Sequence, residues 1–118
     1  MNNVANAPID LRERTLTFSR DVLRFSKSLY RLPLARPIVN QLLRSSTSVG
    51  ANFIEAKNAS SKRDFRNKVF ISKKEASETL YWLKLCEEFS SDDELMRLQD
   101  ECQQIILILQ RIVSPLNH

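Results

Sequence analysis

At 118 residues, 42% of them hydrophobic, the chain is the size of one domain with enough apolar material for its own core. One glycine and four prolines are too few turn formers for a sheet protein and point to a few long helices. The formal net charge of +4 falls short of a dedicated nucleic-acid binder, and the longest apolar run, Ile105 to Leu109, is far below the roughly 20 residues a membrane span needs.

The first residues, Met1 to Ile9, lack the basic start and apolar run of a secretory signal, so a cytoplasmic location is expected. Helix one is expected over about 11–31. Asp10 stands at its cap with Glu13 three residues on, and Leu11, Phe18, Val22, Phe25 and Leu29 form an inner stripe at helical spacing. Pro33 and Pro37 mark the link to helix two, expected over about 36–59, with Pro37 in its first turn. Its stripe reads Ile38, Leu42, Ser45, Val49, Phe53, Ala56. Gly50, in a run of small residues from Ser45 to Ala51, costs about 0.5–1 kcal/mol relative to alanine inside a helix. Close approach by another helix is the expected return.

Helix three is expected over about 62–89, with Ser61 and Asp64 as its capping signal. Helix four is expected over about 92–113, with Ser91 as cap and Asp92, Asp93 and Glu94 in the first turn. Its apolar positions, Leu95, Leu98, Cys102, Ile105, Leu109 and Ile112, alternate by three and four, the seam of a left-handed bundle. Pro115 ends it. Four helices with short links predict an all-α, antiparallel up-down-up-down four-helix bundle that occupies 1–118 as one domain. Cys86 and Cys102 read as small core hydrophobes.

There is more apolar surface than one bundle needs. Leu16, Leu23 and Tyr30 form a second line on helix one, and Ile71, Glu75, Glu78, Trp82, Leu85 and Phe89 another on helix three. Large exposed apolar patches are rare on monomers, so self-association is expected. Polar residues interrupt these lines. Arg44, Ser48, Asn52 and Glu55 share a face of helix two, while Glu75 and Glu78 lie on helix three. In an antiparallel hairpin turning at Ser60-Ser61, Arg44 falls level with Glu75 and Glu78, and Glu55 with Arg66. These six polar residues are expected to fix helix register or an interface, because removing one partner of a buried ion pair can cost about 3–5 kcal/mol.

Chemistry for catalysis is missing from the sequence. The sole histidine is His118, so there is no Glu-x-x-His pair for a di-iron site and no interior base for a cysteine nucleophile. Arg111 and His118 resemble the arginine–histidine signature of helical HEPN ribonucleases, but Pro115 falls between them. No enzyme activity, cofactor, metal, membrane contact or small-molecule substrate is expected.

Charge is segregated along the chain. From Lys57 to Lys74 there are seven basic residues against one acid, Asp64, and from Glu75 to Glu101 nine acids against Lys84 and Arg97. In the bundle, Lys57, Lys62, Arg63, Arg66 and Lys68 cluster at one pole with Arg12, Arg14 and Arg111 nearby. Lys57, Lys62, Arg63, Arg66, Lys68, Arg12 and Arg14 are the candidate nucleic-acid contacts. Phe65 is read as core, so binding is expected to follow backbone and shape. The opposite pole carries Glu87, Glu88, Asp92, Asp93 and Glu94, partly offset by Arg24, Lys27, Arg31 and Arg36.

The stretch from Gln41 to Ala56, QLLRSSTSVGANFIEA, together with Ser61–Phe65, Lys74-Glu75-Ala76 and Tyr81-Trp82-Leu83, resembles the four-helix-bundle proteins encoded in 23S ribosomal RNA intervening sequences. The resemblance runs from Arg14 to Val113. It implies a homopentameric ring with a basic surface, and Arg44, Asn52, Glu55 and Glu75 match the family's characteristic polar positions, none of them catalytic. The fold is also similar to the accessory variability proteins of diversity-generating retroelements, which bind a reverse transcriptase and its template RNA. The expected function is a non-enzymatic homo-oligomer that binds structured RNA or a nucleoprotein through the basic pole. The alternative is a protein-interaction module without direct RNA binding, for example a partner of a reverse transcriptase or of the ribosome.

Overall fold

The structure, a computed structural model, describes residues 10–114. Expectations resting on Met1–Ile9, Pro115 and His118 fall outside those residues. The described chain is all helical: α1 spans Leu11–Tyr30, α2 Arg36–Lys57, α3 Lys62–Leu85 and α4 Asp93–Val113, with single 3₁₀ turns at Pro33–Ala35 and Cys86–Glu88.

Hydrogen bonds and close approaches fix the direction of each neighbouring pair. The Ser72 hydroxyl donates to the Val49 carbonyl at 2.6 Å, and Thr79 Oγ1 lies 2.8 Å from Ser45 Oγ, so α2 and α3 run oppositely. Ser19 bonds the Ser46 carbonyl while Thr15 lies against Gly50, which sets α1 against α2. Cys102 Sγ reaches the Ala76 carbonyl and Gln99 the Leu83 carbonyl, which sets α3 against α4. Arg14 meets Glu101 and Asp21 meets Arg97 across α1 and α4. The result is an up-down-up-down bundle in which, of the four neighbouring pairs, α2 and α3 make the most extensive contact and α1 and α4 the least.

The core is built largely from the expected stripes of α1, α2 and α4, and Val69, Ala76 and Leu83 supply the apolar side of α3 in place of the line from Ile71 to Phe89, which is only half-buried. Phe18, Val22, Leu42, Val49, Leu83, Leu95, Leu98, Ile105 and Leu109 are essentially fully buried. A layer of hydroxyls between α2 and α3, Ser45, Ser72 and Thr79, lies within it. Small polar side chains let α2 and α3 approach closely while every hydroxyl of that layer finds an oxygen, and a paired buried polar group escapes the desolvation cost of an orphan. Gly50 has the same use toward α1. A Cβ there would stand 3.0 Å from Thr15 Oγ1 and 3.2 Å from Thr15 Cβ.

Several local expectations shift. Ile38 and Ile112 are half-buried, and their neighbours Val39 and Val113 take the buried positions, a rotation of one residue near each helix end. The α-helical part of the third helix stops at Leu85, because the chain tightens into the 3₁₀ turn and Phe89 and Ser90 both donate N–H to the Cys86 carbonyl. The fourth helix is capped by Asp92, not Ser91: the Asp92 carboxylate accepts the Glu94 N–H at 3.1 Å, while Ser90 Oγ accepts the Asp92 N–H. The caps at Asp10 and Ser61 stand where the sequence puts them. Both cysteines are free, and burial pushes the Cys102 thiol up to about 12 and Cys86 to about 11, so both are poorly ionised.

Candidate nucleic-acid interface

One end of the bundle is assembled from four termini. Asp10 starts α1 there by accepting the Arg12 and Glu13 N–H groups at 3.1 and 3.4 Å. α2 ends at Lys57, where Asn58 turns its N–H back to the Glu55 and Ala56 carbonyls. Ser61 then starts α3 by accepting the Asp64 N–H at 3.0 Å. The connection is short, so Lys57, Lys62 and Arg63 are held within one turn of the same corner, all exposed.

These three cations make no ion pair with another described residue, whereas other members of the expected set are engaged. Lys68 Nζ lies 2.9 Å from Glu55 Oε1, and that hydrogen bond raises the lysine above its ordinary value. Glu55 was expected level with Arg66; its ion-pair partner is Lys68, half a turn further on. Arg66 is half-buried and makes interactions of its own. Arg14 forms a bidentate pair with Glu101 at 2.8 and 2.9 Å and also donates to Gln104 at 2.7 Å. The Glu101 hydrogen bond raises it further, and this half-buried fork ties α1 to α4. Arg12 is exposed and only loosely paired, 3.5 Å from Asp10. Arg111 is exposed and lines a shallow cleft with Arg14, Gln104, Leu107 and Ile108.

The second polar cluster lies along the α2–α3 seam. Arg44 reaches Glu75 at 3.2 Å and also Glu78, while Gln41 accepts from its Nε at 3.1 Å. Trp82 Nε1 donates to Glu78 at 2.8 Å and completes the chain of contacts. The expected pairing is present, but on the surface, with the Arg44 side chain 46% exposed. Ser48 and Asn52 do not point toward a ligand space: their side chains bond the Arg44 and Ser48 carbonyls of α2 itself.

Sequence reasoning missed two features. Arg14–Glu101 and Asp21–Arg97 follow from the same level-matching that pairs α2 with α3, applied to α1 and α4. Phe65 is not simply core. It is half-buried, packs on the core with one side and lines two clefts at the basic pole with the other. Its place in the first turn of α3, directly after the cap, is the signal that one side would be open.

The chain matches the model of the family described as 23S rRNA-intervening sequence protein over residues 9–111. Among solved structures it is similar to the crystal structure of a protein of unknown function from the S23 ribosomal protein family of Bacteroides thetaiotaomicron VPI-5482. The two are 33% identical, the match covers 87% of this chain and 97% of that one, and the TM-score is 0.81. No curated protein matches the sequence.

Proposed function

The chain belongs to the family of 23S rRNA-intervening sequence proteins, and from that premise we propose that it is a non-enzymatic, homo-oligomeric accessory protein that binds structured RNA or a nucleoprotein through its basic pole. The observation that carries the reading is the convergence of Lys57, Lys62 and Arg63 at one corner without carboxylate partners among the described residues, beside a loosely paired Arg12. Cations already held by carboxylates bring little net field, whereas unpaired ones attract phosphate and release its condensed counterions.

Self-association is supported by the exposed apolar line on α1, where Leu16, Leu23 and Tyr30 are each 44–47% exposed. A ring of side-by-side bundles, a pentamer by the family resemblance, would bring several basic poles to one face and multiply their attraction for a polyanion. Sedimentation of the purified protein reads the subunit number. A monomer at micromolar concentration would remove the ring and leave a single pole.

The RNA test is a titration of a labelled structured RNA at low and moderate salt. Affinity should fall steeply with salt, and reversing Lys62 and Arg63 to glutamate should flatten the slope by about one to two. An alternative reading, a module directed at a protein partner, is favoured by the exposed face of Phe70, Ser77 and Tyr81 on α3. Absence of RNA binding even at low salt would favour it.

A further inference from the structure

The basic pole carries more than charge. Its end face holds an open cleft of about 430 Å³ with Phe53, Phe65, Ile108 and Ile112 as its apolar floor and Arg12 and Lys57 on its rim. The Asp10 carboxylate is also on that rim, where it caps α1 and stands 3.5 Å from Arg12. A second cleft, about 480 Å³, continues from it across the α2–α3 connection, bounded by Ser60, Ser61 and Lys62. Lys57 and Phe65 belong to both. Each volume falls within the roughly 300–1,000 Å³ of ordinary ligand sites.

From this arrangement we infer that the pole receives an unpaired nucleobase: the base lies in the apolar cleft against Phe65, and Lys57 and Lys62 hold the phosphates on either side of it. The inference rests on the RNA-binding reading above and names the form of RNA that the pole selects. A polyanion that offered only its backbone would meet the cations and leave the open sides of Phe65, Ile108 and Ile112 in water. A duplex keeps its bases stacked inside and presents that same backbone. An unstacked nucleotide matches both halves of the site, with a flat apolar ring for the floor and an anion for the rim. Aromatic side chains beside a cationic track are how single strands are held without sequence readout.

The origin of the cleft is visible in the fold. Ile108 and Ile112 belong to the part of α4 that is apolar almost all round, so α4 turns an apolar side toward the end of the bundle as well as toward the core. Phe65 enters from the first turn of α3, with the short Asn58–Ser61 connection beside it. The connection is too short to fold over the rings.

The test compares three equally charged probes on the full chain by fluorescence anisotropy: a single-stranded RNA oligonucleotide, a blunt duplex with the same number of phosphates, and a single strand of the same length made abasic. The base-carrying single strand should bind about tenfold or more tightly than either of the others. Phe65→Leu should reduce it to the abasic level while leaving abasic binding unchanged, and Phe65→Tyr, which restores a ring, should recover the preference. If Phe65→Leu does not fold, the wild-type comparison of base-carrying with abasic strands still decides. Equal affinity for those two strands, with the dependence on Lys62 and Arg63 intact, would overturn the base-binding inference and leave the phosphate-binding pole standing. Loss of salt-sensitive binding to every probe would remove both.

Discussion

The two ends of the bundle treat charge in opposite ways. At the far end, signs are mixed and bridged: Arg97 reaches Asp21 at 3.0 Å and Glu94 across one turn, Arg24 holds Asp21 from its other side at 3.2 Å, and Arg36 stacks over Tyr30 while donating to the Tyr30 carbonyl. At the near end, Lys57, Lys62 and Arg63 make no ion pair with another described residue and stand beside an apolar cleft whose rim also carries Asp10. Bridged charges organise the fold, and their fields largely cancel beyond a few ångströms. Unbridged ones repel each other, a cost with no return inside the bundle, so the return is expected outside it. The total of +4 conceals this, because it averages an end of mixed, partly bridged charge with a basic one.

The largest effect should come from reversing charge at each end in turn. Lys62→Glu with Arg63→Glu should weaken RNA binding on the order of 100-fold at moderate salt, with the melting temperature unchanged or slightly raised, since both stand in the first turn of α3. Lys27→Glu with Arg31→Glu at the far end removes as much positive charge. α1 alone, at 20 residues, separates the two ends by about 30 Å, roughly three Debye lengths at 0.1 M salt. That second variant should therefore stay within about twofold of the wild type. Equal losses would mean that total charge, not the near end, governs binding.

Next in size is the seam that joins the ends. Arg44→Ala cuts the contacts to Glu75, Glu78 and Gln41 and leaves Glu78 with Trp82 alone. The cluster is near the surface, so the loss should be about 1 kcal/mol, or about 4 °C in melting temperature. RNA affinity should not move. A drop in affinity without a drop in stability would place Arg44 in the binding surface.

Much of this division can be read from the residues and some cannot. The helices, the caps at Asp10 and Ser61, and the Arg44–Glu75–Glu78 cluster follow from period, cap chemistry and the levels of an antiparallel hairpin, all local or pairwise rules. The missed assignments are those in which two rules compete. Ser91 and Asp92 are both good caps, and the chain gives the role to Asp92 because Ser90 already serves the Asp92 N–H. Lys68 and Arg14 look like open cations in a basic run until α2 and α4 bring Glu55 and Glu101 to them. Phe65 looks like core because aromatic residues at helical spacing usually are, and its open side depends on how short the neighbouring connection is. Charge runs mark where cations are, and packing decides which of them remain unpaired.

A smaller effect is expected in acid. Arg97's hydrogen bond holds Glu94 below the usual carboxylate range. A carboxylate depressed in the folded state contributes stability above its unfolded value, about 4.3, and loses it as pH falls through the folded value. Arg97→Ala should therefore lower stability at neutral pH and flatten the fall in melting temperature below about pH 4.3. Asp21 loses the same arginine and keeps its contact to Arg24. Parallel acid profiles for variant and wild type would show that the bridged end is not held by this pair.

The smallest effect is at Lys68, where the two kinds of charge meet. It lies in the basic run but is joined to Glu55, and both groups are well hydrated. An exposed pair of this kind contributes little, because ordering two long side chains offsets most of the attraction. Lys68→Ala should change the melting temperature by no more than about 1 °C. Its effect on RNA should be a weakening of about two- to threefold, since the variant leaves the Glu55 carboxylate uncompensated beside the basic corner. Glu55→Gln is the sharper variant. It releases Lys68 without altering Lys57, Lys62 or Arg63, and should strengthen RNA binding by about two- to threefold and steepen the salt slope by less than about one. Unchanged affinity and slope for Glu55→Gln would mean that RNA does not reach as far along α3 as Lys68, and that the interface stops at the corner between Lys57 and Arg63.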